Sequence, residues 1–213
     1  MFAKGLCLEK LVWIFLISAF LGDVIETIFC RVVYGVWMSR SSVLYGPFSI
    51  VWGLGAVVLT LVLSRIAHRS VGFIFLVGAL LGGGYEYLCS VFTEVVFGTK
   101  YWDYSWMRFH IDGRTNLLYM IFWGLLSVAW MKGIYPRLDM WIEKMPLRIG
   151  RALTVIALAF MIGNIVISSM AVLRYIQRQE GVASVNAIEA MLDRLYEDER
   201  IERVWPNMML IEK

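Results

Sequence analysis

Five stretches of the chain are apolar for long enough to cross a lipid bilayer, and nothing else in the sequence constrains the fold as strongly. They lie near Leu11–Phe29, Val43–Leu63, Val71–Phe92, Asn116–Met131 and Ala152–Val172. A transmembrane helix needs about 20 predominantly apolar residues. It must also satisfy its own backbone groups, because no water inside the hydrocarbon can do so. The fourth stretch is short and begins inside the preceding loop; the third is rich in glycine and carries Glu86. With 60% hydrophobic residues and a mean hydropathy of +0.68, the composition excludes an ordinary soluble domain, whose apolar share is about 45–50%. The expected fold is all-α, a polytopic membrane helix bundle of about five transmembrane helices. Lys4 and Lys10 followed by an apolar run resemble the start of a signal peptide. No small-x-small cleavage site follows, so an uncleaved first helix is expected.

The chain also repeats itself. Leu21-Gly22-Asp23-Val24-Ile25-Glu26 is followed by Phe48-Ser49-Ile50-Val51-Trp52-Gly53-Leu54. Leu81-Gly82-Gly83-Gly84-Tyr85-Glu86 is followed by Tyr119-Met120-Ile121-Phe122-Trp123-Gly124-Leu125. Each copy reads L-G-x-x-x-E, a polar connection, then aromatic-x-x-x-W-G-L. The repeat unit is therefore a two-helix hairpin, and two such units in the same sense suggest a pseudo-symmetric membrane site. Each glutamate falls in the last third of its span, toward the same face. An ionised carboxylate in hydrocarbon costs a few kcal/mol or more (~3), so such groups are paired, protonated or functional.

Residues four apart share a helix face. Gly22, Glu26 and Cys30 form one stripe; Gly78, Gly82, Glu86, Ser90 and Glu94 form another, with Asp23 and Thr27 beside Glu26. Small residues let membrane helices approach closely, so both stripes should face the bundle. The expected organisation is a first hairpin at 1–66, a second at 67–132, an interfacial cytoplasmic segment at 133–148, a fifth transmembrane helix at 149–175 and a polar helical tail at 176–213. Tyr135–Pro146 has apolar residues at helical spacing between two prolines, which reads as an amphipathic helix on the membrane surface. Ala187–Val204 reads as one amphipathic helix or two short ones, and Trp205 as a residue resting on the membrane face of the protein.

Basic residues bias the topology. The loop Lys132–Arg151, with Lys132, Arg137, Lys144, Arg148 and Arg151, gives the strongest single vote. It places the N-terminus in the cytoplasm and, after five spans, the C-terminus outside, with the glutamates near the outer face. Cys7, Cys30 and Cys89 show neither disulfide nor metal spacing, and no metal site or cofactor is expected.

The loop Tyr101-Trp102-Asp103-Tyr104-Ser105 … His110-Ile111-Asp112-Gly113-Arg114 concentrates functional groups just before a span. Membrane-interface anchoring explains its aromatic residues but not Asp103, Asp112 and Arg114. A guanidinium can hold a carboxylate with two parallel hydrogen bonds, so Arg114 is expected to pair with Glu86 or Asp103. Candidates for a polar pocket are Glu26, Glu86, Asp103, Arg114, Tyr45, Trp102 and Tyr104. Gly22, Gly82, Ser90, Glu94 and Asp23 support them. Three arrangements suit these residues: a buried ion-pair network, a ligand or ion path, or a catalytic site in which paired acids and His110 activate water. There is no H-E-x-x-H, no G-x-S-x-G and no phosphate loop, so no catalytic residue is named. Nothing in the sequence points to nucleic acid.

Leu44-Tyr45-Gly46-Pro47-Phe48, Tyr85-Glu86-Tyr87, Tyr101-Trp102-Asp103-Tyr104-Ser105, Gly113-Arg114 … Phe122-Trp123-Gly124-Leu125 and Asp198-Glu199-Arg200 … Trp205-Pro206-Asn207-Met208 occur in that order. Together they resemble the bacterial family known as putative ABC transporter permease, type IV, the CmpB-like proteins. Asp23 stands where that family typically has tryptophan, and His110-Ile111-Asp112 where an asparagine-containing string is usual. The resemblance implies a permease-like, multi-pass protein of the bacterial cell membrane. Because the chain lacks a nucleotide-binding motif, any ATPase would be a separate subunit, and a homodimer would supply further spans. The first functional expectation is thus a membrane component of a transport system. The alternatives are a membrane-embedded enzyme acting on lipid or envelope precursors, and a sensor or accessory protein whose tail binds a partner.

Overall fold

Each copy of the repeat folds as a helical hairpin, and the glycines explain how closely its two arms approach. In the computed structural model, which describes residues 2–211, α1 (Leu8–Tyr34) packs on α2 (Ile50–Leu63), and α3 (Val71–Phe97) packs on α4 (Leu117–Ala129). A methyl group at Gly22 would lie 2.3 Å from Trp52 Cγ, and one at Gly82 would lie 2.3 Å from Trp123 Cγ. The same correspondence holds two turns earlier on α1 and α3, where Phe15 meets Gly53 and Phe75 meets Gly124. The duplication is therefore one of packing as well as of sequence. The two hairpins meet through their tryptophans, with the Trp52 and Trp123 rings 5.6 Å apart. Tyr85 crosses the junction and donates its hydroxyl hydrogen to Val51 O at 2.7 Å.

Four continuous helices are long and apolar enough to cross a membrane: Leu8–Tyr34, Val71–Phe97, Leu117–Glu143 and Leu147–Gln179. The third of these continues α4 through a π-helical turn, Trp130–Ile134, into α5 (Tyr135–Glu143). The last is α6, of 33 residues. α2 is shorter than the sequence suggests, with 14 residues and a three-residue 3-10 turn after them. This is at the low end of the roughly 17–25 residues that span hydrocarbon. Its missing first turns are accounted for locally. Gly46 takes φ +83° and Pro47 has no N–H to give a helix. The Ser41 hydroxyl donates to Val43 O at 2.8 Å, and Ser42 Oγ accepts from Ile50 N at 3.0 Å.

α5 is likewise not separated from α4. The π turn carries the chain past Pro136 without ending the helix, so the segment expected to stand alone continues the fourth helix. Its Leu138 and Ile142 enter the core with Phe2, Leu63, Ile74 and Trp130. Lys10, only 1% exposed, is bound there by Asp139 and by Glu143 Oε1, the latter at 2.8 Å. Trp130 Nε1 donates to Thr60 Oγ1 at 2.9 Å. α6 begins at this end of the bundle, where Trp13 Nε1 donates to Thr154 Oγ1 at 2.9 Å.

At the opposite end the chain builds a cap. The tail forms two short helices, α7 (Ala187–Leu195) and α8 (Asp198–Val204), folded onto the last turns of α6. Leu192, Tyr196, Ile201 and Trp205 pack with Ala171, Val172 and Tyr175, so Trp205 is a core residue of the cap and not a membrane anchor. Leu44 and Tyr101 from the two connecting loops, and Phe97 from the end of α3, close the cluster. Strand β1 (Thr99–Lys100) pairs antiparallel with β4 (Met209–Leu210), which ties the tail to the end of α3. The cap thus sits on the end of the bundle toward which both glutamates point.

Candidate functional site

Glu26, one turn beyond Gly22 on α1, faces its own hairpin. Oε1 accepts from Arg40 Nε at 2.7 Å and lies 2.5 Å from Arg40 Nη2, while Oε2 accepts from Trp52 Nε1 at 2.8 Å. The first glutamate is therefore charge-compensated and hydrogen-bonded at both oxygens. Trp52 belongs to the repeat motif. Arg40 lies in the α1–α2 connection, where the sequence suggests only a topological charge.

Glu86, the equivalent residue of α3, is 8% exposed and held differently. Oε1 accepts from the Tyr104 hydroxyl at 2.9 Å and Oε2 from Thr115 Oγ1 at 2.8 Å. No cation lies within ion-pair distance of it among the described residues. The loop between α3 and α4 is built to deliver these two hydroxyls. β2 (His110–Ile111) and β3 (Thr115–Asn116) form a short hairpin that turns Thr115 inward, and Asn116 then caps α4 by accepting from Tyr119 N at 3.1 Å. Tyr104 is fixed by its backbone N–H to Gly113 O at 2.7 Å and by stacking on Tyr119, centroids 4.6 Å apart. Burial and then the Glu86 charge push the Tyr104 phenol well above its ordinary range, so it stays a hydrogen-bond donor.

The Gly113 position explains the W-D-Y-S … G-R spacing. Its φ of +67° suits glycine, and a methyl group there would lie 2.4 Å from Asp103 Oδ1. Asp103 itself accepts from Ser105 N at 2.8 Å and from Ser105 Oγ at 2.5 Å, and these bonds hold its carboxyl below the usual range. It is a loop-forming residue, bound within its own loop. Trp102 is also structural, donating Nε1 to Arg114 O at 2.8 Å.

Arg114 pairs with neither Glu86 nor Asp103. Its Nη2 lies 2.5 Å from Glu94 Oε2 and its Nη1 donates to Ser90 Oγ at 3.1 Å. Glu94 lies two turns beyond Glu86 on α3 and is the more exposed of the two, so the guanidinium is less desolvated there. Tyr45 belongs to the cap contact. Its hydroxyl shares a 2.8 Å hydrogen bond with that of Tyr196, and its backbone is read by Asn164, whose Nδ2 donates to Tyr45 O at 2.7 Å. Asp23 is 4% exposed, and its Oδ1 has no hydrogen-bond partner among the described residues. Gly22 and Gly82 are the close-packing points under the two tryptophans. The geometry thus brings Glu86, Tyr104 and Thr115 into one cluster, Glu26, Arg40 and Trp52 into a second, and Arg114, Glu94 and Ser90 into a third. Arg40 and Thr115 escape sequence reasoning, although each lies in the polar connection of its own repeat.

A family model described as Putative ABC-transporter type IV matches residues 13–169, which take in α2 to α5, most of α1 and α6, and both glutamates. The chain belongs to this family. With its long apolar helices it is a multi-pass membrane protein and a membrane transport component. No curated protein and no solved structure matches it. The match ends within α6, before α7 and α8 of the cap.

Proposed function

We propose that this transport component works through Glu86, and that Glu86, Tyr104 and Thr115 line a polar path for a proton or small cation near the outer face of the membrane. One observation carries the reading: among the described residues, the buried carboxylate of a candidate membrane helix is held only by hydroxyls. A hydroxyl can donate to a carboxylate or accept from a carboxylic acid. The same cradle therefore serves Glu86 charged and neutral, which the Arg40 cradle of Glu26 cannot do. Glu26 and Arg40 form the fixed wall of the path, and Arg114 with Glu94 forms its polar rim. The N-terminus is cytoplasmic and the C-terminal cap outside. At the cytoplasmic end, α5 with its exposed Met140 and Trp141 offers the surface for a separate ATP-binding subunit, or for a second copy of the chain.

Purification of the tagged chain from native membranes in mild detergent tests the assembly. A stoichiometric ATP-binding subunit is the expected companion; recovery of the chain alone overturns the ATP-coupled reading. Reconstitution into proteoliposomes tests the site. Proton or monovalent-cation flux should be abolished by Glu86→Gln while insertion and folding persist. Flux equal to that of the unchanged protein would remove Glu86 from the path.

A further inference from the structure

We infer that α7 is a membrane-interface helix: the cap is anchored in the lipid surface by the face formed by Ile188, Met191 and Leu195. The argument starts from α6. Residues 152–173 carry no charge and are bounded by Arg151 and Arg174. At about 1.5 Å per residue they span about 33 Å, matching a hydrocarbon core of about 30 Å. Arg174 therefore marks the edge of the hydrocarbon. Asp193 of α7 is tied to that residue, its Oδ1 accepting from Arg174 Nε at 2.8 Å and its Oδ2 from Arg174 Nη2 at 2.9 Å. α7 is thus held at the depth of the lipid headgroups.

Its orientation follows from helical geometry. Asp193 and Glu189 occupy one side. Asp193 is directed at Arg174 and Arg178, and Glu189 is folded back on Asn186 and Val185 N at the helix start. Leu192 is buried against α6, but the apolar arc continues past it through Ile188, Leu195 and Met191, which are 57%, 46% and 42% exposed. This arc adjoins Leu173, itself 43% exposed on the lipid-facing side of α6. A cleft of about 260 Å³ lies between the two surfaces, with Met170, Leu173, Ile188 and Leu192 on its apolar side and Arg174, Gln177, Asn186 and Glu189 on its polar side. The unpartnered face therefore continues the face that α6 presents to the bilayer. A cationic residue, Arg194, lies at its edge, where lipid phosphates would stand. An apolar arc at that depth, continuous with a lipid-facing span and bordered by a cation, fits a lipid surface.

The inference is independent of any role for Glu86. It is tested by placing a photo-reactive benzophenone amino acid at position 191 of the full chain in native membranes, with position 199 on α8 as the water-facing reference, because Glu199 is exposed. Irradiation should yield lipid adducts at 191 and none at 199. Adducts to a second polypeptide at 191 would identify the face as a protein-docking surface and overturn the proposal. Equal lipid yields at 191 and 199 would overturn it too. The same probe at 188 keeps the test decisive if the 191 variant does not accumulate.

Discussion

The two hairpins share a scaffold and differ in what surrounds the acid it carries. In both, a glycine one turn before the glutamate sits under a tryptophan at a distance that leaves no room for a methyl group. In the first, the glutamate is closed off by Arg40 and by the Trp52 indole. In the second, Trp123 stays with Gly82 and Tyr85, the nearby arginine goes to Glu94, and only hydroxyls reach Glu86. A duplicated frame has thus kept its packing and let its electrostatics diverge.

The largest effect should come from breaking the compensated copy. Arg40→Met strands Glu26 and should cost about 3 kcal/mol, the low end of the range for a buried pair, because its partners retain 20% and 25% exposure. The fall in the thermal midpoint of the purified protein measures it, and Glu26→Gln added to Arg40→Met should recover much of the loss. Next come Gly22→Ala and Gly82→Ala, each forcing a methyl group into an indole at a cost of roughly 1–3 kcal/mol. Equal midpoints for these two variants would confirm equivalence of packing; a wide gap would show that the hairpins differ there as well. Glu86→Gln should change stability by less than about 1 kcal/mol, since the amide oxygen accepts from one hydroxyl and the amide NH2 donates to the other, whereas Glu26→Gln should destabilise measurably. If both were equally destabilising, the contrast between the copies would fail.

The smallest effect concerns the cap. The hydrogen bond from Arg174, with that from Arg178, holds the Asp193 carboxyl below its usual range. A carboxyl depressed in the folded state adds stability above its unfolded pKa and loses it as pH falls through the folded value. The cap should therefore stay docked at neutral and mildly acidic pH and loosen only below the ordinary carboxylate range. Hydrogen exchange in 187–204 as a function of pH reads this.

Much of the architecture was legible because its signals are local. Apolar runs locate the spans, and the L-G-x-x-x-E and W-G-L strings locate the hairpins and their contact points. The limits were as local. A run of apolar letters across Val43–Leu63 hides a turn made by Gly46, Pro47 and the Ser41 hydroxyl. The prolines flanking Tyr135–Pro146 suggest a break, but a π turn absorbs Pro136 within a continuous helix. In the site, composition identifies which acids need partners and not which donors reach them. The fork of Arg114 suits Glu86 or Asp103 as a partner, whereas in the fold it meets Glu94, two turns further along α3. Thr115 is an unremarkable letter until the β2–β3 hairpin turns it inward.

The pairing of Thr99 with Leu210 has a consequence in time. Contacts between distant parts of a chain form late, because their loop must close first. At about 5–20 residues per second, translation leaves roughly 5–20 s between the emergence of α3 and that of the strand that ties it down. Throughout that interval both hairpins can be inserted while their glutamate end lacks its cover. A membrane-resident quality-control factor could distinguish unfinished chains from finished ones by that bare end alone.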